Sequence, residues 1–272
     1  MNREEKYKEE LSSILIRFFK SGERKELFAY IMGNSHLPGP RANLELAGAF
    51  ADLVEEHATE GSGRIWGWLN AMMAFSPGEA PVNDPKEFLP FCGVKGMAAL
   101  ASACPQFLKA AIGKLKALSE DKRWRIREAV AQGIQKLLVK ERPRTLKTLH
   151  SWVGTDNWLI MRAVAAGVAE PSLLKQPQIA KASYELHQKI LAAIIANEEH
   201  NTEAFRILRK TLGYSLSVII ESDPEQGFSF LHELAKSRDS DLRWIVNENL
   251  KKNRLIKNFP GEVKTLKCAI EK

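Results

Sequence analysis

The stretch that decides the fold is Ser119–Pro171, SEDKRWRIREAVAQGIQKLLVKERPRTLKTLHSWVGTDNWLIMRAVAAGVAEP. It holds two successive copies of one pattern: an acidic residue, a Trp, an Arg, then a run of small residues. Asp121 and Arg127 stand six residues apart, as do Asp156 and Arg162. Behind them come two nearly identical phrases, Ala129-Val-Ala-Gln-Gly133 and Ala163-Val-Ala-Ala-Gly167. The phrases are 34 residues apart and the Asp…Arg pairs 35, so the copies differ by a slip of one residue. A third, weaker copy, Asp241-Leu-Arg-Trp-Ile-Val-Asn-Glu-Asn-Leu250, repeats the frame of Asp121–Val130 with Asn247 in place of the Arg. Recurrence at about 35–40 residues marks an array of stacked helical units, none of which buries its apolar face alone.

Working outward, the same helical period continues in both directions. Apolar spacing predicts helices over Glu5–Lys20, Glu23–Met32, Pro40–His57 and Arg64–Phe75, with Pro40 placed where a missing N–H costs little. The loop Ser76–Pro85, SPGEAPVNDP, is the clearest break in the chain and the best place for a joint between halves. Helices follow over Phe91–Cys104, Pro105–Leu118, Glu120–Val139, Arg142–Val153 and Asn157–Ala169. Beyond the Pro171–Pro177 break come Gln178–Asn197, Thr202–Ile220, Pro224–Lys236, Asp239–Asn253 and Glu262–Ile270. That makes about fourteen helices in about seven pairs, near 40 residues a pair. The strand-like Ser217-Val-Ile-Ile220 is absorbed by its helix.

Composition sets the remaining bounds. A chain of 272 residues with 44% hydrophobic and 27% charged residues buries a sizeable core. No uncharged run exceeds Ile65–Gly78, which is short of the about 20 residues a membrane helix needs. The charged N-terminus, MNREEKYKEEL, lacks an apolar signal core. Cys92, Cys104 and Cys268 have no C-x-x-C spacing, and Cys92 and Cys104 are expected in the core. These features together predict a cytoplasmic protein with no membrane partner. The net charge of +7 is uneven: Lys109–Lys147 holds twelve Lys and Arg against four Asp and Glu. A local excess of that size attracts polyanions, or forms a solvated Lys-rich face.

Chemistry-bearing motifs are mostly absent. There is no phosphate-binding G-x-x-x-x-G-K-[ST], no dinucleotide G-x-G-x-x-G after a strand, and no H-E-x-x-H. The six His residues have no metal-ligand spacing, and Glu198-Glu199-His200 reads as a helix end facing water. Neither a metal nor a cofactor is expected. What remains is aromatic and basic. On the helix Glu120–Val139, at about 100° per residue, Val130, Gly133, Ile134 and Leu137 share a core stripe with Ile126. Trp124, Glu128, Ala131 and Leu138 form a second flank, with Arg123 and Arg127 between.

An Asp in the turn, an Arg six residues on and small residues behind it resemble the second helix of a HEAT repeat. The resemblance implies an all-α chain, a right-handed α–α superhelix of about seven HEAT-like helix pairs running 1–272 with a joint at 76–85. It also implies that Asp121, Arg127, Asp156 and Arg162 form an inter-repeat hydrogen-bond ladder. A second resemblance is to the HEAT-like alkylpurine DNA glycosylases, which place a Trp and a catalytic carboxylate four residues apart on one repeat helix. Carried over, Trp124 would be the aromatic wall, Glu128 the carboxylate and Arg162 the partner gripping DNA. This chain departs from that family in having Glu128 for Asp, and Ala193 where a later aromatic belongs.

Three readings follow. One is a non-enzymatic binding module that docks a protein. Another is a protein binding duplex DNA through a basic groove over residues 109–162, related to alkylation repair. The third is a structural or regulatory subunit whose basic face meets an acidic partner or membrane. The site residues they share are Trp124, Arg123, Arg127, Trp158 and Arg162, with Glu128 catalytic only under the repair reading.

Overall fold

The computed structural model describes residues 3–197 and 199–270, with the side chains of Phe19 and Lys20 outside the description. Every regular element among the described residues is helical, as the periodicity predicts. The chain forms two compact units, Met1–Glu141 and Arg142–Lys272. The division therefore falls before the Arg142 helix and not at 76–85. That loop is an internal part of the first unit, with Ala80 fully buried.

The first unit contains α1 (Arg3–Ser21), α2 (Lys25–Gly33), α3 (Leu44–Glu56), α4 (Ser62–Met73), α5 (Phe88–Ala103), α6 (Leu108–Leu118) and α7 (Trp124–Lys140). Alternate helices α1, α3, α5 and α7 stack in series, each on the next, while α4 and α6 back α5. The second unit repeats the plan. It contains α8 (Arg142–Val153), α9 (Trp158–Val168), α10 (Pro171–Leu174), α11 (Pro177–Ala196), α12 (Glu203–Ser222), α13 (Pro224–Ala235), α14 (Ser240–Leu250), α15 (Asn253–Asn258) and α16 (Pro260–Ile270). Here α9, α12 and α14 stack in series, with α8, α11 and α13 behind them. Serial stacking of alternate helices is the packing of HEAT- and armadillo-type repeats. Setting aside the four-residue α10 and the six-residue α15, fourteen longer helices remain.

Small residues sit where helices meet. A Cβ added at Gly96 of α5 would lie 2.7 Å from Leu69 Cδ2 and 2.9 Å from Phe50 Cε1. One at Gly133 of α7 would meet Leu115 Cδ2 at 2.9 Å. The glycines thus set how closely α5 approaches α3 and α4 and how closely α7 approaches α6, and larger side chains there would force the interface apart. The core stripe of α7 is as read: Ile126, Val130, Ile134 and Leu137 are buried. Its second flank is buried too at Ala131 and Leu138, because α7 is covered on two sides, by α5 and α6.

Local chemistry corrects several boundaries. Pro40 does not open α3. Asn43 does, its side-chain oxygen accepting from Leu46 N at 3.0 Å. α7 starts at Trp124 rather than Glu120, since Asp121 turns the chain and Arg123 is extended. Trp124 and Trp158 each open a helix, so helix register follows the 34-residue spacing. In that register Arg162 matches Glu128, and Arg127 matches Met161. The third copy also shifts: Asp239 caps α14 by accepting from Asp241 N and Leu242 N, which puts Asp241 inside the helix.

His187 of α11 is fully buried. Its Nδ1–H donates to the Ser183 carbonyl at 2.8 Å, and its Nε2 accepts from Ser215 Oγ of α12 at 2.8 Å. Burial pushes its pKa down to about 4, against a smaller upward pull from the Ser183 carbonyl. An unfolded His titrates near 6.5, so the unfolded state takes up a proton that the folded state refuses. Stability is therefore full above about pH 6.5 and falls by on the order of 3 kcal/mol as pH drops towards about 4. Urea midpoints measured across that window should decline, and His187→Gln should flatten the decline.

Candidate functional site

The first turn of α7 carries three arginines, and all three side chains point inward. Arg123 is 1% exposed and meets the Asp121 carboxylate with two bonds, Nε–Oδ1 at 2.9 Å and Nη2–Oδ2 at 2.7 Å. Its Nη1 donates to the Ala80 carbonyl at 3.2 Å, which holds the 76–84 loop against the helix. Arg127 donates through Nη1 to the carbonyls of Asp121 (2.6 Å) and Lys122 (3.1 Å). Arg127 thus ties down the backbone of its own turn.

Arg125 reaches furthest. Its Nη1 bonds Glu87 Oε2 at 3.1 Å, with both side chains buried. Its Nη2 donates to the Gly39 carbonyl at 2.6 Å and to Asn83 Oδ1 at 3.3 Å. Asn83, held in the left-handed region at φ 71°, donates its N–H to Glu87 Oε2 at 2.7 Å and accepts from Gly39 N at 2.9 Å. Two loops, 34–43 and 74–84, are therefore pinned to α7 by one guanidinium. Glu87 Oε1 and Arg125 Nε have no hydrogen-bond partner, so the pair carries buried polar atoms left unsatisfied.

Above this pair the surface opens into a shallow notch of about 630 Å³ lined by Pro38, Pro40, Val82, Asn83, Trp124 and Arg125. Trp124 is 47% exposed and Val82 51%. The Arg125 guanidinium lies 4.4 Å from the Trp124 ring centroid, holding one face of the indole. The notch is an apolar rim set on a charged, hydrogen-bonded base.

The predicted site residues are not all at the surface. Trp124 is, and Glu128, one turn on, is half-buried. Arg123 and Arg127 are buried in the turn. In the second unit Trp158 is buried edge-on against Phe205, 5.5 Å between centroids, and Arg162 is buried as well. The basic count of 109–147 is reduced in the same way by its buried arginines, though Arg144 and Lys147 in the second unit stay exposed. Lys136 and Lys140 reach Glu55 at 2.5 and 3.3 Å. Burial would raise the Glu55 carboxyl, but these two ammonium groups outweigh it and hold the group below the ordinary range. In the first unit Lys109, Lys114 and Lys122 are left as exposed cations of that stretch, with Lys116 half-exposed.

Glu87 and Asn83 were missed by sequence reasoning. A signal existed: Glu87 precedes Phe88–Cys104, a stretch whose single charge is Lys95, and a carboxylate at the edge of such a helix needs an internal partner. His200 is half-buried, not a solvated helix end, and Glu198 lies outside the described residues. His200 stacks on Phe205 at 4.3 Å, with Nδ1 2.9 Å from Asp241 and Nε2 donating to the Ile194 carbonyl at 3.0 Å. His200, Asp239 and Asp241 lie close enough together to hold a metal ion. Their ligand atoms are already engaged, however: Asp239 caps α14, and Asp241 also meets Arg209 at 2.9 Å.

No family model matches the chain, and no curated protein does either. Two solved structures resemble it, each at 13% identity and a TM-score of 0.30. One is an engineered protein, matched over 87% of this chain and 97% of its own. The other is a designed armadillo repeat protein, matched over 82% and 98%. The serial stacking within each unit carries the repeat assignment by itself. None of the helices among the described residues is long and apolar enough to cross a membrane.

Arg125→Met should destabilise the first unit by about 3–5 kcal/mol, because it leaves the Glu87 carboxylate buried and unpaired. Adding Glu87→Leu should recover most of that loss. Urea unfolding of the wild type, both single variants and the double variant measures the coupling.

Proposed function

We propose that the protein is a non-enzymatic helical-repeat binding module that docks a protein partner, with the notch around Trp124 as its anchor. One observation carries the reading: a half-exposed Trp is held rigid by a buried ion pair that also fixes the flanking loops. Interface hot spots are enriched in Trp, and a preorganised anchor loses little conformational entropy on binding. Pro38, Pro40 and Val82 supply an apolar rim that excludes water around such an anchor.

The test uses a photo-crosslinking residue at Val82 in cells that natively express the protein. A discrete adduct should form and should disappear on Trp124→Ala, while the thermal midpoint stays unchanged. An adduct that survives Trp124→Ala would remove the notch from the interface.

A second reading, a DNA-binding protein related to alkylation repair, rests on Trp124 and Glu128 standing one turn apart on α7. Against it, Arg123, Arg127 and Arg162 are buried, so the arginines expected to grip phosphates do not face solvent, and that role would fall to exposed lysines such as Lys109, Lys114 and Lys122. Binding to duplex DNA, intact and with an abasic-site mimic, across a salt series separates the two. The docking reading expects weak binding without lesion preference. Lesion-preferring, salt-steep binding, with base release lost on Glu128→Gln, would establish the repair reading instead.

A further inference from the structure

The second unit contains a groove that neither the repeat pattern nor the Trp124 notch explains. It runs between α11 and α13, with α12 as its floor, and opens a volume of about 930 Å³ that continues past Tyr184 into a further 520 Å³. Both walls are helical stripes. α11 contributes Lys181, Tyr184, Glu185 and Gln188, and α13 contributes Gln226, Phe230 and Glu233. These spacings of three and four residues put each set on one helix face. Val218 and Ile219 of α12 form the apolar floor.

The two ends differ in charge. Lys175 and Lys181 stand at the α10–α11 end, in a part of the groove that Glu185 and Glu221 also line, so charge there is mixed. At the other end Asp223, Glu225 and Glu233 line the groove, with no Lys or Arg among the lining residues there. Tyr184 donates its hydroxyl to the Gln226 carbonyl at 3.0 Å, and its ring meets Phe230 edge-on at 5.2 Å. Burial, and then the neighbouring Asp223 charge, raise the Tyr184 phenol to about 12. Asp223 caps α13, accepting from Gln226 N at 3.2 Å. Glu233 meets Lys236 at 2.6 Å, but both side chains are about two-thirds exposed and such a pair is worth little.

We propose that this groove docks a basic, amphipathic segment of a partner protein, seating a Lys or Arg side chain against Tyr184 and Phe230 among Asp223, Glu225 and Glu233. Charge complementarity selects the occupant. A cation at this end enters a stretch lined by three carboxylates and an aromatic pair, whereas a polyanion or an anionic membrane is repelled. The segment's apolar side chains cover Val218 and Ile219, and the Lys175–Lys181 end takes an acidic residue or a carboxylate.

The experiment measures fluorescence anisotropy of a labelled Leu-Lys-Lys repeat peptide against the full chain, with a Leu-Glu-Glu repeat as the opposite-charge control. The Lys peptide should bind at low salt and the Glu peptide should not. Glu225→Lys with Glu233→Lys should weaken binding about tenfold or more. Glu203→Lys with Glu262→Lys, which changes net charge equally at exposed positions outside the groove, should weaken it less than about twofold. Phe230→Ala should weaken binding severalfold with the thermal midpoint of the other variants retained. Equal losses in the two double variants, binding of the Glu peptide, or no binding of the Lys peptide would each overturn the proposal. None of these outcomes bears on the Trp124 notch, which lies in the other unit.

Discussion

The first unit depends on a guanidinium that has left water. Arg125 carries its charge into the interior to meet the buried Glu87 carboxylate, and it gathers two loops by their backbone and side-chain oxygens. Desolvating such a pair costs several kcal/mol, and the pair recovers that cost only if the remaining polar atoms find partners. Here two do not, Glu87 Oε1 and Arg125 Nε. The arrangement is therefore poor as a source of stability and good as a means of fixing position. What it fixes is the rim of the notch: Gly39 between Pro38 and Pro40, Asn83 beside Val82, and Trp124 stacked on the guanidinium itself.

Inward arginines also change what the surface offers. A stretch with a large basic excess in sequence presents a smaller excess to solvent, because part of its charge is spent on Asp121, Glu87 and Glu55. The polyanion footprint shrinks accordingly. The surfaces that remain distinctive are an apolar notch in one unit and an acidic, aromatic groove in the other.

Periodicity carried most of the fold. Helices were legible wherever apolar residues recurred every three or four positions, and the small-residue phrases marked close helix contacts, as Gly96 and Gly133 bear out. Boundaries set by side-chain capping were not legible to within a turn: Asn43 took the role expected of Pro40. The site was half legible. Trp124 and Glu128 fell on the flank assigned to them, since helical angle depends on sequence spacing alone. Burial of Arg123, Arg127, Trp158 and Arg162 depends on which loops and helices cover them, and spacing along the chain carries no such information. The Glu87–Arg125 pair is 38 residues apart and joins a loop to a helix start, so no periodic rule reaches it. The α11–α13 groove was invisible for a related reason: it is a gap between helices that meet through few side chains, Tyr184 with Gln226 and Phe230 among them, and spacing along the chain does not show which helices leave room between them.

The one-residue slip between the two copies is resolved upstream of the helix. Between Asp121 and Trp124 the chain has two residues, and between Asp156 and Trp158 it has one. The turns take up the difference, with Arg123 extended in one and Asp156 left-handed at φ 43° in the other. Both helices then begin on Trp and keep their small-residue faces aligned. An insertion inside the helix would instead have rotated every later side chain by about 100°. The turn before each repeat helix is thus a length buffer, and repeats of this chain can diverge in size there while their packing faces stay in phase.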